Sequence, residues 1–120
     1  MPHILMIATG GTIACCETAH GLSPALDSAA LLGALPELSA LCTVKTLDLM
    51  QLDSTDVTAA DRQRMAQAVW QNREKFDGFV LTHGTDTLAY TAALLTHLLP
   101  HFDKPLVLTG SMLPMGVPDS

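Results

Sequence analysis

The hydrophobic positions of this chain fall into short unbroken runs, each closed by a polar turn, and between the runs the apolar residues take up helical spacing. Ile4 to Ala8 is continuously apolar, as a strand buried on both faces of a parallel sheet requires, and Thr9-Gly10-Gly11-Thr12 closes it. Ala14 to Pro24 has no period; Gly21, Pro24 and their small or polar neighbours read as a mobile loop over the end of the sheet. Asp27 or Ser28 can cap a short helix that turns Leu31, Leu32 and Leu35 inward and stops or kinks at Pro36. Thr43 to Leu49 reads as a second strand ending in Gln51-Leu52-Asp53-Ser54-Thr55. Thr58 followed by Asp61 marks a helix start, with Met65, Val69 and Phe76 facing the core of a helix that runs to about Lys75. Gly78 to Thr82 is a third strand, closed by His83-Gly84-Thr85-Asp86-Thr87. A helix from Thr87 to Leu99 follows, with Leu88, Ala92, Leu95 and Leu99 on one face and Pro100 as its stop. Leu106 to Thr109 is the fourth strand, followed by a turn at Gly110-Ser111 and a Pro- and Gly-rich stretch.

Strands alternating with helices at this spacing predict an α/β fold: a parallel sheet with right-handed crossovers and helices on both faces, a Rossmann-like three-layer arrangement. In such a sheet all strands end along one edge. The turns Thr9 to Thr12, Asp53 to Thr55, His83 to Thr87 and Gly110 to Met112 therefore converge on one crevice, which they line with hydroxyls. A helix starting beside Thr85, Asp86 and Thr87 also points its unpaired N–H groups at any bound anion.

Composition narrows the classes. With 120 residues, 48% of them hydrophobic and 15% charged, the chain can bury one modest core. A net charge of −6, with only six Lys and Arg scattered from Lys45 to Lys104, argues against a nucleic-acid partner. Cys15, Cys16 and Cys42 have no metal-ligand spacing and read as reduced thiols. No metal and no organic cofactor is expected. The first apolar run is too short to span a bilayer, and the absence of a charged leader ahead of it reads as a cytoplasmic protein.

The segments ATGGTIA (Ala8 to Ala14) and HGTDTLAYTA (His83 to Ala92), with the Asp53-Ser54 turn and DKPLVLTGS (Asp103 to Ser111), closely resemble the signature segments of the bacterial asparaginase/glutaminase family, cytoplasmic (type I) branch. The resemblance covers nearly the whole chain in the family's order. It implies a truncated N-terminal catalytic domain, residues 1–120, of a two-domain enzyme whose chains are more than twice as long and pair as homodimers or homotetramers. It further implies that Thr12 attacks the side-chain amide of L-asparagine, and of L-glutamine in some members. Thr85 and Asp86 would belong to a second catalytic triad whose lysine lies beyond Ser120. Ser54 would hold the substrate's α-carboxylate and Asp86 its α-ammonium, with Gly11, Asp53, Gly84 and Thr85 also lining the substrate.

Taken singly, each of these residues has a plainer reading. A Thr after Gly-Gly or an Asp before a helix is more often a cap, and Asp-Ser in a turn is usually only a turn. His83 beside a glycine at a strand end reads as a satisfied structural group; His20, His97 and His101 read as surface residues, and Met112 and Met115 as packing residues. Cys15 and Cys16 lack a basic neighbour in sequence that would activate a thiol. Where the family commonly carries a loop tyrosine, this chain has Leu22. Three other readings stand beside amide hydrolysis. An ammonia-producing subunit of a tRNA-dependent amidotransferase shares the motifs. A nucleotide-binding module shares the plan, but Thr12 and Cys15 stand where its second and third glycines belong. The third is an inactive truncated relic.

Overall fold

The structure is a computed structural model that describes residues 1–18, 21–24, 27–115 and 117–120, and the backbone alone of 16–18 and 21–24. Its main sheet has four parallel strands: β1 (His3–Gly10), β4 (Thr43–Leu52), β5 (Gly78–Thr82) and β6 (Leu106–Thr109), in the spatial order β4, β1, β5, β6. The strand order reverses beside β1. The chain leaves β1 for β4 on one side and then returns past it to β5 on the other, so the carboxyl ends of β1 and β5 flank the point where crossovers diverge to opposite faces.

The central strands β1 and β5 are buried on both sides, which explains their unbroken apolar runs, whereas the outer strands β4 and β6 are only partly covered. On one face Leu5 and Ile7, Phe79 and Leu81, and Leu106 and Leu108 pack against Met65 and Val69 of α2 (Ala59–Gln71) and Leu95 of α3 (Leu88–Leu98). Full burial contributes roughly 1.5–3 kcal/mol per large side chain. Phe79 anchors this face, meeting Phe76 edge-on at 6.1 Å and Phe102 at 5.7 Å between ring centres. On the other face Met6 packs with Ile13, Val44, Met115 and Leu31 of α1 (Ser28–Gly33).

Local chemistry sets the element ends. Asp27, not Ser28, caps α1, accepting from the Ala30 N–H at 2.8 Å. Thr58 and Asp61 form a full capping box at the start of α2, and its hydrogen bonds from Thr58 hold the Asp61 carboxyl below its ordinary pKa. The helix stops at Gln71 rather than near Lys75, because the Asn72 side chain donates to the Ala68 carbonyl at 2.7 Å and the chain turns. Phe76 thus reaches the core from a turn. Lys104 donates to the carbonyls of Arg73 and Phe76 and ties the start of β6 to that turn, at the sheet's amino edge.

Three expectations are corrected. The segment expected as a loop contains an antiparallel hairpin, β2 (Cys15–Thr18) with β3 (Gly21–Pro24), paired from Cys15 opposite Pro24 to Thr18 opposite Gly21. Four-residue strands reading CCET and GLSP carry no alternation, so backbone pairing there leaves no trace in hydropathy. β4 runs three residues past Leu49 to Leu52, where the Leu52 carbonyl accepts from the Gly11 N–H at 3.1 Å. Met115 packs as expected, but Met112 is 80% exposed. His97 and His101 are exposed as expected, whereas His20 and the side chain of Leu22 lie outside the described residues. Among the described residues no helix is long and apolar enough to cross a membrane.

The second sheet face is only partly covered. Val107 on the edge strand β6 is 54% exposed, and beside it a cavity of about 570 Å³ is lined by Ile4, Met6, Val80, Thr82 and Met115. An apolar face next to an open strand edge drives association. The segment expressed alone should therefore elute as concentration-dependent oligomers in size-exclusion chromatography with light scattering, and Val107→Lys should shift it toward monomer. A monomeric wild-type segment at high concentration would show that this face tolerates water.

Candidate active site

Three of the four polar turns expected to converge are brought into contact through glycine. Gly11 has φ of 89°, a conformation costly for residues with a side chain, and a Cβ there would stand 2.5 Å from the Gly84 Cα. Gly84 in turn lies against Ser54: a Cβ on Gly84 would fall 2.6 Å from the Ser54 Cβ and 2.8 Å from its Oγ. No side chain fits at either contact. The fourth turn joins them at Gly110, which abuts the His83 carbonyl and lies 3.3 Å, measured from an added Cβ, from the Thr85 Cγ2. Hydrogen bonds lock the same junction. The buried Thr9 hydroxyl donates to the Thr82 carbonyl at 2.5 Å, and the His83 N–H donates to the Thr109 carbonyl at 2.9 Å.

Thr12 follows Gly11 and Thr85 follows Gly84, so both threonines leave the same glycine contact. Thr12 opens a single 3-10 turn, Thr12–Ala14, whose cap is Gly11, and it is half-buried. Thr85 and Asp86 are exposed. Neither caps α3: the cap is Thr87, and its hydroxyl donates to the Ser54 carbonyl at 2.8 Å while its N–H donates to the Ser54 Oγ at 3.3 Å. Capping therefore consumes neither side chain. Among the described residues the hydroxyls of Thr12 and Thr85 and the carboxylate of Asp86 have no intramolecular hydrogen bond, nor do the N–H groups of Thr12 and Thr85.

Asp53 and Ser54 are committed further. The Asp53 carboxylate accepts from the Thr55 N–H and hydroxyl at 3.0 and 3.1 Å, fixing the 3-10 turn Ser54–Asp56. Ser54 is 2% exposed and braces α3 through Thr87, its oxygen accepting and its own hydrogen left over. The Cys15 thiol donates to the Gly11 carbonyl at 3.2 Å, which supports the Thr12 turn from below. Met115 donates its N–H to the Ile13 carbonyl at 3.0 Å and steadies that turn from the C-terminal stretch. Among the described residues no group of three or more His, Cys, Asp and Glu is placed to hold a metal ion.

The sequence reading missed Thr91 and Arg62. Thr91 lies one position before the apolar Ala92 and is fully buried, with its hydroxyl accepting from Arg62 Nε at 2.7 Å and lying 2.8 Å from His83 Nε2. His83 is fully buried, its Nδ1 2.6 Å from the Gly84 carbonyl. A carbonyl only accepts, so Nδ1 carries the hydrogen, and in the neutral ring Nε2 accepts from Thr91. Burial lowers the His83 pKa below its ordinary value, and nearby Arg62 acts in the same direction. The helix-face signal that could have exposed Thr91 is its spacing: it stands four residues before Leu95, on the buried stripe.

Burial depresses the His83 pKa in the folded state, so the stability it contributes is fully present above the unfolded histidine pKa of about 6.5 and is lost as pH falls through the depressed value. The full-length protein carrying this segment should show a falling Tm between pH 7 and 5, and His83→Gln should flatten that fall by the share this ring contributes. An identical slope in the variant would show that His83 does not titrate on unfolding.

The model of the family described as "Asparaginase, N-terminal" matches residues 3–120. An L-asparaginase of Thermococcus kodakarensis is 42% identical over 120 residues, covering 98% of this chain and 36% of its own length. L-asparaginase 1 of Escherichia coli K12 is 36% identical over 119 residues, covering 94% of this chain and 35% of its own. The solved structure of the probable cytoplasmic L-asparaginase from Campylobacter jejuni superposes with a TM-score of 0.86 at 32% identity, over 99% of this chain and 35% of that one. The chain thus spans about a third of the length of these relatives. With the family model matched from His3 to Ser120 and a parallel α/β sheet that superposes on those of known members, the chain belongs to the asparaginase family, of which it carries the N-terminal domain.

Proposed function

We propose that the protein carrying this segment hydrolyses L-asparagine to L-aspartate and ammonia through a covalent threonine ester. The observation that supports the reading is the contact between Gly11 and Gly84, each followed by a threonine whose hydroxyl and N–H have no intramolecular partner among the described residues, at the point where the strand order reverses. In this scheme the Thr12 Oγ attacks the side-chain amide carbon. As the tetrahedral centre collapses the C–N bond breaks, the nitrogen takes a proton, and ammonia leaves. Water then cleaves the β-aspartyl ester, releasing aspartate and returning the hydrogen to Thr12.

Developing negative charge on the amide oxygen needs donors placed beforehand, and the unused N–H groups of Thr12 and Thr85 are suited to that task. Thr85 and Asp86 belong to the same machinery, and the Asp86 carboxylate pairs with the substrate's α-ammonium. The remaining Ser54 hydrogen donates to its α-carboxylate, with Asp53 holding the turn that carries Ser54. Gly11 and Gly84 line the substrate with backbone. L-Glutamine is the alternative substrate, since one methylene in a pocket discriminates by only about 1–3 kcal/mol. A cytoplasmic location is supported by the likeness to the Campylobacter jejuni protein. A dinucleotide-binding role is disfavoured because β1 leads into a 3-10 turn and a hairpin, not into the helix that would receive a pyrophosphate.

Thr12→Val and Thr85→Val keep the branched shape and delete only the hydroxyl. In the full-length protein each should lower kcat for ammonia release by about 1,000-fold or more, with Tm nearly unchanged. Asp86→Asn should raise KM for asparagine. Near-normal turnover by Thr12→Val would remove it as the nucleophile.

A further inference from the structure

A directed chain of hydrogen bonds runs from α2 through α3 to the candidate active site. Arg62 Nε–H donates to the Thr91 hydroxyl, that hydroxyl donates to His83 Nε2, and His83 Nδ1–H donates to the Gly84 carbonyl. Every group has one role. Arg62 has no acceptor to offer, so the Thr91 hydroxyl accepts from it and keeps its hydrogen for Nε2, while burial and the Arg62 charge favour the neutral ring that carries its hydrogen on Nδ1. The His83 main chain is pinned separately, by its N–H bond to Thr109 and by Gly110 packed on its carbonyl. The ring's contact with Gly84 is therefore not needed to hold His83 in the fold.

The consequence lies on the far side of the peptide. A trans peptide is planar, with its carbonyl and the next N–H pointing in opposite directions. Drawing the Gly84 carbonyl toward a buried ring turns the Thr85 N–H away from it, and that N–H has no acceptor among the described residues. We propose that His83 is a positioning residue, which through the Gly84 carbonyl aims the Thr85 N–H into the crevice as a donor to the substrate, with Thr91 and Arg62 setting the tautomer this requires. The claim rests on the amide-hydrolase reading above. It predicts an effect on the chemical step, because a donor aimed at a developing oxyanion acts chiefly in the transition state.

The full-length protein provides the test, by steady-state ammonia release from L-asparagine and by 15N NMR of histidine-labelled protein. The His83 resonances should report a neutral ring with hydrogen on Nδ1 at pH 7.5. Thr91→Val should lower kcat about tenfold with KM nearly unchanged, while Thr91→Ser, which restores the hydroxyl, should remain within about threefold of wild type. Should Thr91→Val fail to fold, His83→Asn, whose amide N–H can replace Nδ1–H, should retain most of the kcat that His83→Leu loses. Hydrogen on Nε2, equal losses in Thr91→Ser and Thr91→Val, or variants that shift Tm while kcat holds would each overturn the proposal. If wild type released no ammonia from asparagine, the functional reading would fall, and the tautomer and its loss in Thr91→Val would still decide whether the chain of bonds orients the Gly84 carbonyl.

Discussion

Backbone touching backbone at Gly11 and Gly84 is the constraint on which the remaining architecture depends. Adjacent strands lie about 4.8 Å apart, and the turns that leave them are ordinarily held apart by the side chains they carry. Here β1 and β5 continue into turns without a Cβ at the point of approach, and Ser54 closes on the same glycine from the end of β4. The unusual length of β4 serves this contact, since it is the Leu52 carbonyl, at the last residue of the strand, that receives the Gly11 N–H. The hairpin and the Met115 contact brace the Thr12 turn from its other side.

The two sheet faces contribute unequally. The side under α2 and α3 holds the larger apolar cluster, with three phenylalanines at its base, and it carries the polar chain from Arg62 to Gly84 up to the crevice. That chain is affordable in a core only because each of its members is satisfied; a buried imidazole with one unmet nitrogen would cost about 1–3 kcal/mol. The division also explains why Thr87, rather than Thr85 or Asp86, handles the start of α3. By giving its hydroxyl to the Ser54 carbonyl it couples the helix to the neighbouring turn and leaves the side chains of the two residues before it uncommitted.

Much of this order is written in local pattern. Ile4 to Ala8 and Gly78 to Thr82 read as doubly buried strands because they are, and Thr58 with Asp61 reads as a helix start because both halves of the capping box lie within four residues. The convergence of polar turns follows from parallel strands alone. What sequence conceals is either non-local or purely backbone. The β2 and β3 hairpin is held by main-chain pairing between strands too short to show alternation. The end of α2 depends on one asparagine side chain turning back to Ala68, a choice that helix propensity does not predict. The Arg62 contact with Thr91 spans 29 positions, and a threonine within a helix otherwise gives no sign that it is a junction. Met112, in an irregular stretch without hydrophobic period, stands in solvent.

The central claim is that Thr12, held at the Gly11 and Gly84 contact, forms the covalent bond to substrate. Acid-quenching the full-length protein during turnover of L-asparagine, followed by peptide mass spectrometry, tests this without relying on a variant. The account predicts a β-aspartyl ester on the peptide containing Thr12, absent when asparagine is omitted. An ester on the peptide containing Thr85 instead, or ammonia release with no covalent intermediate trapped while a control threonine ester survives the quench, would contradict it.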